Sequence, residues 1–289
     1  MSNNIPVKDG GGIDKYKLTH TSGSSSAAPA ADIQMPFLLA VALGMVPGYS
    51  SVNKFGHNTA AADGDDVWGG GGEYEFYPTS AVSVDVKSSQ AADDGDPGGT
   101  GARTIVIQGL DENWEEASEE ITLNGTTEVA VPGTWMRLFR CVILTAGSTH
   151  SNVGNITVQC VGAAGGLSDN TVGIYINAGD GQTQQTMYTI PAGKTGYFIK
   201  GYVGVADDDK NGEVAEFQWL ARPNNGTTGA WAVKGEMGTN SGGASHWQYE
   251  YGIPAGPLPE KTDIKIKLLD TTTGSIGVVG GYDILLKDD

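Results

Sequence analysis

The strongest constraint on this chain is a change of pattern near residue 60. Residues 1–60 show little strand periodicity and run through Ser22-Gly-Ser-Ser-Ser-Ala-Ala-Pro-Ala-Ala31. Beyond them come short alternating segments punctuated by glycine, of which the chain has 44. The leading stretch has too few spaced apolar residues to close a core, so it reads as an arm that lies on something else. The rest reads as antiparallel strands: Val82, Val84 and Val86 alternate with polar residues, as on a half-buried sheet. Thr104–Gln108, the turn Gly109-Leu-Asp-Glu-Asn113 and Glu120–Asn124 form a hairpin pattern, and Trp135–Leu144 is the longest apolar run. Several short strands at this spacing predict an all-β fold of sandwich or jelly-roll type.

Length and a pause in the strand pattern at Gly162–Asp169 divide the chain. The expected organisation is an arm with one short helix over 1–60, a first antiparallel β-sandwich over 61–165 and a second over 170–289. Val131-Pro-Gly before Trp135, and Ile190-Pro-Ala-Gly before Tyr197, are similar corners feeding long strands. Divergent duplication and plain turn chemistry explain that likeness equally well.

Within the arm, Met35-Pro-Phe-Leu-Leu-Ala-Val-Ala-Leu-Gly-Met-Val-Pro47 is the one apolar block. It is too short to span a bilayer, and its long polar lead does not match a targeting segment. With Asp32 as cap and Pro47 as stop it predicts one short helix. Met35, Phe37, Leu38, Leu39, Val41 and Leu43 are its docking residues.

The net charge is −17. Phosphate neutralisation needs clustered Lys and Arg, and here Arg137, Arg140 and Lys265 are scattered along strands, so nucleic acid is not an expected partner. Acidity of this degree suits salty water, where screening over about 10 Å removes most self-repulsion. Cys141 and Cys160 fall on apolar strand segments and read as buried free thiols, with a disulfide as the alternative if their strands are adjacent and the setting is oxidising.

Asp207-Asp-Asp-Lys-Asn-Gly212 matches the first half of a calcium loop, which would place Asp207, Asp209 and Asn211 on the ion. The twelfth position is Gln218 rather than a bidentate Glu, and strands flank the loop, so a solvated hairpin tip is the competing reading. Asp63-Gly-Asp-Asp66 and Asp93-Asp-Gly-Asp96 are similar acidic tips. Gly193-Lys-Thr lacks the first glycine of a phosphate loop, since position 188 is Tyr188. The four histidines share no ligand spacing, and no nucleophile elbow occurs. Glu115, Glu116, Glu119 and Glu120 read as a solvated hairpin face rather than a glycosidase pair. No enzymatic activity and no obligatory cofactor are expected. Trp231, Trp247, Tyr249 and Tyr251, near amide-rich turns, are the residues that would contact a glycan, with core or interface packing as the alternative.

One further set of residues carries a resemblance. Val46-Pro-Gly-Tyr-Ser-Ser-Val-Asn-Lys-Phe-Gly-His-Asn58, Val67-Trp-Gly-Gly-Gly, Tyr74-Glu-Phe-Tyr-Pro and Gly101-Ala-Arg-Thr-Ile-Val-Ile-Gln-Gly-Leu-Asp111 belong to it. So do Ile121-Thr-Leu-Asn-Gly-Thr-Thr127 and Ala146-Gly-Ser-Thr-His-Ser-Asn-Val-Gly-Asn-Ile156. With these the chain resembles a family of virion structural proteins from tailed phages, aquatic bacteriophages and cyanophages among them. Ile190-Pro-Ala-Gly-Lys-Thr195 and Pro259-Glu-Lys-Thr-Asp-Ile264 resemble the same proteins more loosely. The resemblance implies a particle component that assembles with other virion proteins, the major capsid protein or tail components, as a symmetric homo-oligomer with a trimer favoured. A capsid decoration or cement role is the first expectation, and a tail-fibre or baseplate adhesin for host glycan is the alternative.

Overall fold

The computed structural model describes residues 6–8, 14–16, 36–95, 98–206, 214–223, 229–240, 246–272 and 274–289, with the backbone alone for 6–8, 14–16, 246–247 and 251–253. The strands in chain order are β1 (Pro6–Lys8), β2 (Asp14–Tyr16), β3 (Tyr49–Ala61), β4 (Val82–Ser88), β5 (Ala102–Asp111) and β6 (Glu116–Thr122). They continue with β7 (Val129–Ala146), β8 (Ile156–Cys160), β9 (Val172–Ile176), β10 (Tyr188–Thr189), β11 (Lys194–Val205) and β12 (Val214–Pro223). The last four are β13 (Ala232–Asn240), β14 (His246–Leu258), β15 (Thr262–Thr271) and β16 (Ile276–Asp288), and the helix α1 is Phe37–Ala42. The fold is all-β and antiparallel with one short helix, as the periodicity predicts.

The first unit is a six-stranded sheet in the order β6-β5-β7-β4-β8-β9. Val82, Val84 and Val86 of β4, Ile105 and Ile107 of β5, and Ile156 and Val158 of β8 are buried on its core face. Trp68, Tyr74 and Phe76, from the non-strand segment 66–81, complete that core. Burying each such aliphatic side chain contributes about 1.5–3 kcal/mol, so this core can hold the sheet together. The predicted hairpin is β5–β6, closed over Asp111–Glu115 with Trp114 at φ 64°. Edge strand β6 carries exposed glutamates, which discourage edge-to-edge pairing.

The second unit is a sandwich of two four-stranded sheets, β10-β15-β12-β13 and β14-β11-β16-β3. Phe217 and Trp219 of β12 and Ile264, Ile266 and Leu268 of β15 meet Phe198 of β11 and Val278, Tyr282 and Ile284 of β16. The strand order differs from that of the first sheet, so the two Pro-Gly corners reflect turn chemistry.

Two boundaries differ from the sequence expectation. Residues 49–60, assigned to the arm, lie in β3, which pairs with β16 from Tyr49↔Lys287 to Ala61↔Ile276. Three of its four buried positions, Lys54, Gly56 and Asn58, follow a period of two but are not apolar, so the alternation was invisible to hydropathy. The pause at Gly162–Asp169 is a hairpin loop rather than a linker. It joins β8 to β9, which is the edge strand of the first sheet and not part of the second unit.

The two units share a junction. Gln185 bridges to both Phe55 and Trp68, and Asn58 donates to the Asp66 carbonyl. Cys141 and Cys160 are free and buried, and burial raises both thiol pKa values.

Candidate docking surface and the charged junction

Six residues are too few to sustain a helix in water, so α1 depends on what it packs against. Ala40, Val41, Val46 and the partly buried Phe37 and Met45 rest on Leu285, Tyr197 and Ile199. Tyr197 pairs with Leu285, and their neighbours Phe198 and Ile284 point into the sandwich core, so the helix sits on the outer face of that sheet. Its end is built by glycine: Gly44, at φ 67°, donates to Val41 O and Met45 donates to Ala40 O, a Schellman turn with Met45 folded against Ala40. The helix starts after Pro36, which takes the cap position foreseen for Asp32.

This arrangement divides the predicted docking residues. Phe37 and Val41 are turned onto the chain's own sheet. Leu38, Leu39 and Leu43 face outward, 43%, 48% and 58% exposed, the most concentrated group of exposed leucines among the described residues. Met35 lies outside the described residues, as do Asp207, Asp209 and Asn211 of the calcium-like loop.

The predicted aromatic group is spread over two sheets. Trp231 leads into β13, whereas Tyr249 lies in β14, an edge strand of the other sheet, and is 45% exposed. The side chains of Trp247 and Tyr251 lie outside the described residues. Trp231 is engaged in packing: Arg222 Cζ is 4.6 Å and Lys265 Nζ 4.9 Å from its ring centre, and Tyr77 meets it edge-on at 5.7 Å. Those cations occupy ring surface that a sugar would need. The acidic tip at Asp93 is equally committed, since its two oxygens accept the amides of Ala102, Val153 and Gly154 and the hydroxyl of Ser88.

Around Trp231 lies a group of buried charges that sequence reasoning read as scattered strand cations and a solvated acidic tip. Asp263, fully buried, accepts from Arg137 Nε at 2.8 Å and Nη2 at 3.0 Å, from Arg222 Nη2 at 2.7 Å and from Thr189 Oγ1 at 2.7 Å. Burial pushes its carboxyl up, but the two guanidinium groups outweigh that and hold it below the ordinary range. Arg137 also lies over Trp114 and Tyr77, and it donates to Pro78 O. Arg137 comes from β7 of the first sheet and Asp263 from β15 of the second unit, so the pair ties the units together.

Beside it, Lys265 Nζ lies 2.9 Å from Asp66 Oδ2 and 3.2 Å from Glu73 Oε1. Burial raises the Asp66 pKa, against the pull of Lys265. The signal was present in Thr262-Asp-Ile-Lys-Ile-Lys267: the alternation points Asp263 and Lys265 away from the sandwich core, toward what reads as solvent. The first unit covers that face. Between the units a cleft of ≈ 410 Å³ is lined by Glu73, Tyr77, Ser168, Arg222, Trp231 and Lys265. Among the described residues no group of His, Cys, Asp and Glu is arranged to hold a metal, and no helix is long and apolar enough to cross a membrane.

No family model and no curated protein matches the chain. Among solved structures, the infectious bursal disease virus Gx strain is 12% identical over 82% of this chain and 75% of that one, with a TM-score of 0.21. The VP2 subviral particle of the same virus is 11% identical over 83% and 75%, TM-score 0.21. PBSX exported protein XepA is 13% identical over 80% and 86%, TM-score 0.16. Likenesses at these scores carry no functional argument, which rests instead on the chain's own residues.

Proposed function

We propose that this chain is a non-enzymatic structural component of a tailed-phage virion, seated on the head as a decoration or cement protein. The observation that carries the reading is the split of α1, whose one face is fixed to the sandwich while Leu38, Leu39 and Leu43 remain exposed. A rigidly mounted apolar ridge is what a protein partner can bury, and the resemblance to virion structural proteins supplies the partner class, a major capsid protein. Assembly as a symmetric trimer follows the same resemblance and is read by light scattering of the purified protein. Added back to particles stripped of this chain, the wild type should raise the particle melting temperature. A Leu38→Ser/Leu39→Ser/Leu43→Ser variant that melts normally by itself should not. Equal protection by both would remove α1 as the anchor.

The alternative, a tail or baseplate adhesin for host glycan, is favoured by one observation, the exposure of Tyr249 on an edge strand. It requires the isolated protein to bind host cells and to lose that binding in Tyr249→Ala. Indifference to host cells would eliminate it.

A further inference from the structure

We propose that Lys265 and Asp66 condense to an intramolecular isopeptide bond, with Glu73 carrying the proton, so that the segment leading into the first unit is covalently tied to β15 of the second. The two side chains are 1% and 0% exposed. Their approach is fixed by the backbone: Asp66 bridges to Lys267, and Val67 donates to Ile266 O at 3.0 Å. Amine and carboxyl are thereby held at 2.9 Å, the proximity that turns a slow bimolecular condensation into a rapid intramolecular one.

The surroundings supply the remaining requirements. The Tyr74 amide donates to Asp66 Oδ2 at 2.7 Å, where negative charge develops on attack. Asp66 Oδ1 is buried and accepts no hydrogen bond, which leaves it the oxygen free to depart. Glu73 Oε1 lies 3.2 Å from the same nitrogen, and its side chain is 59% exposed, which opens a route to solvent. The Trp231 ring, 4.9 Å from Nζ, covers the buried pair. Burial displaces the Asp66 carboxyl toward its protonated form.

The step balances without an oxidant or co-reactant. One proton passes from the Lys265 ammonium to the Asp66 carboxyl it contacts, giving an amine and a carboxylic acid whose hydroxyl settles on Oδ1. The Nζ lone pair attacks Asp66 Cγ, and the carbonyl electrons move onto Oδ2. Glu73 takes a proton from the attacking nitrogen and delivers it to the Oδ1 hydroxyl. Collapse restores the carbonyl at Oδ2, breaks Cγ–Oδ1 and releases one water. Glu73 ends as the carboxylate it began as.

The test is mass spectrometry of the full chain under denaturing, reducing conditions, followed by a peptide map. The expected result is a mass one water below that of the sequence and a branched peptide joining the Asp66 and Lys265 segments. Lys265→Met and Asp66→Ala should each return to the mass of their own sequence. Glu73→Gln, a change at an exposed side chain, should fold normally by circular dichroism yet link at least tenfold more slowly after synthesis. Wild-type protein at full sequence mass, with the two segments recovered as separate peptides, would overturn the proposal. Linking at wild-type speed in Glu73→Gln would overturn the role of Glu73.

Discussion

At Asp263 a single carboxylate with no solvent access faces two guanidinium groups, each also placed over aromatic rings. Removing one member of such a set leaves an uncompensated buried charge, so Asp263→Ala should lose about 3–5 kcal/mol in urea unfolding. The pH dependence follows from the depressed carboxyl. Its contribution is complete above the unfolded value of about 3.9 and disappears as pH falls through the lower folded value. Wild-type stability should therefore drop more steeply in acid than that of Asp263→Ala.

Lys54 has the opposite sign. It is buried, donates to the Phe139 carbonyl and sits near Arg140, and burial followed by Arg140 lowers its pKa well below the ordinary value. Below about pH 10.4 the unfolded chain binds a proton that the folded one resists, so stability through this residue rises as pH rises toward that value. Lys54→Met should be more stable than wild type at pH 7, by about 1 kcal/mol or more. The difference should shrink at pH 9. Neither residue was legible as buried, because a charge on an alternating strand reads as solvent-facing until the neighbouring unit that covers it is known.

Among the elements, β3 shows what hydropathy misses. Lys54, Gly56 and Asn58 occupy its inward positions because each meets a particular polar neighbour across the junction. A Cβ at Gly56 would collide with the Val67 carbonyl and the Thr186 side chain. Gly56→Ala should therefore lower stability by about 1–3 kcal/mol, measured by thermal melting. The same exchange at Gly44 fills open space and strains only the left-handed turn. Strand β4 was readable from alternation, β5 from its hairpin pattern, β7 from its apolar run, and the helix that became α1 from an apolar block ended by Pro47. Which leucines of α1 would remain outside was not readable, since that depends on Tyr197, Ile199 and Leu285, some 150 residues or more later in the chain.

For the whole molecule, the junction makes the sheet and the sandwich mechanically continuous through β3, the 182–190 segment and the Asp263 and Asp66 clusters. A continuous body with an apolar ridge on one face suits a part that is seated and then holds its shape. The most direct measurement is cryo-electron microscopy of purified particles, with the copies of this chain counted and located. The account predicts occupancy throughout the head lattice, with Leu38, Leu39 and Leu43 against the capsid shell. Particles that lack the chain on the head, or carry it with α1 turned to solvent, would contradict it.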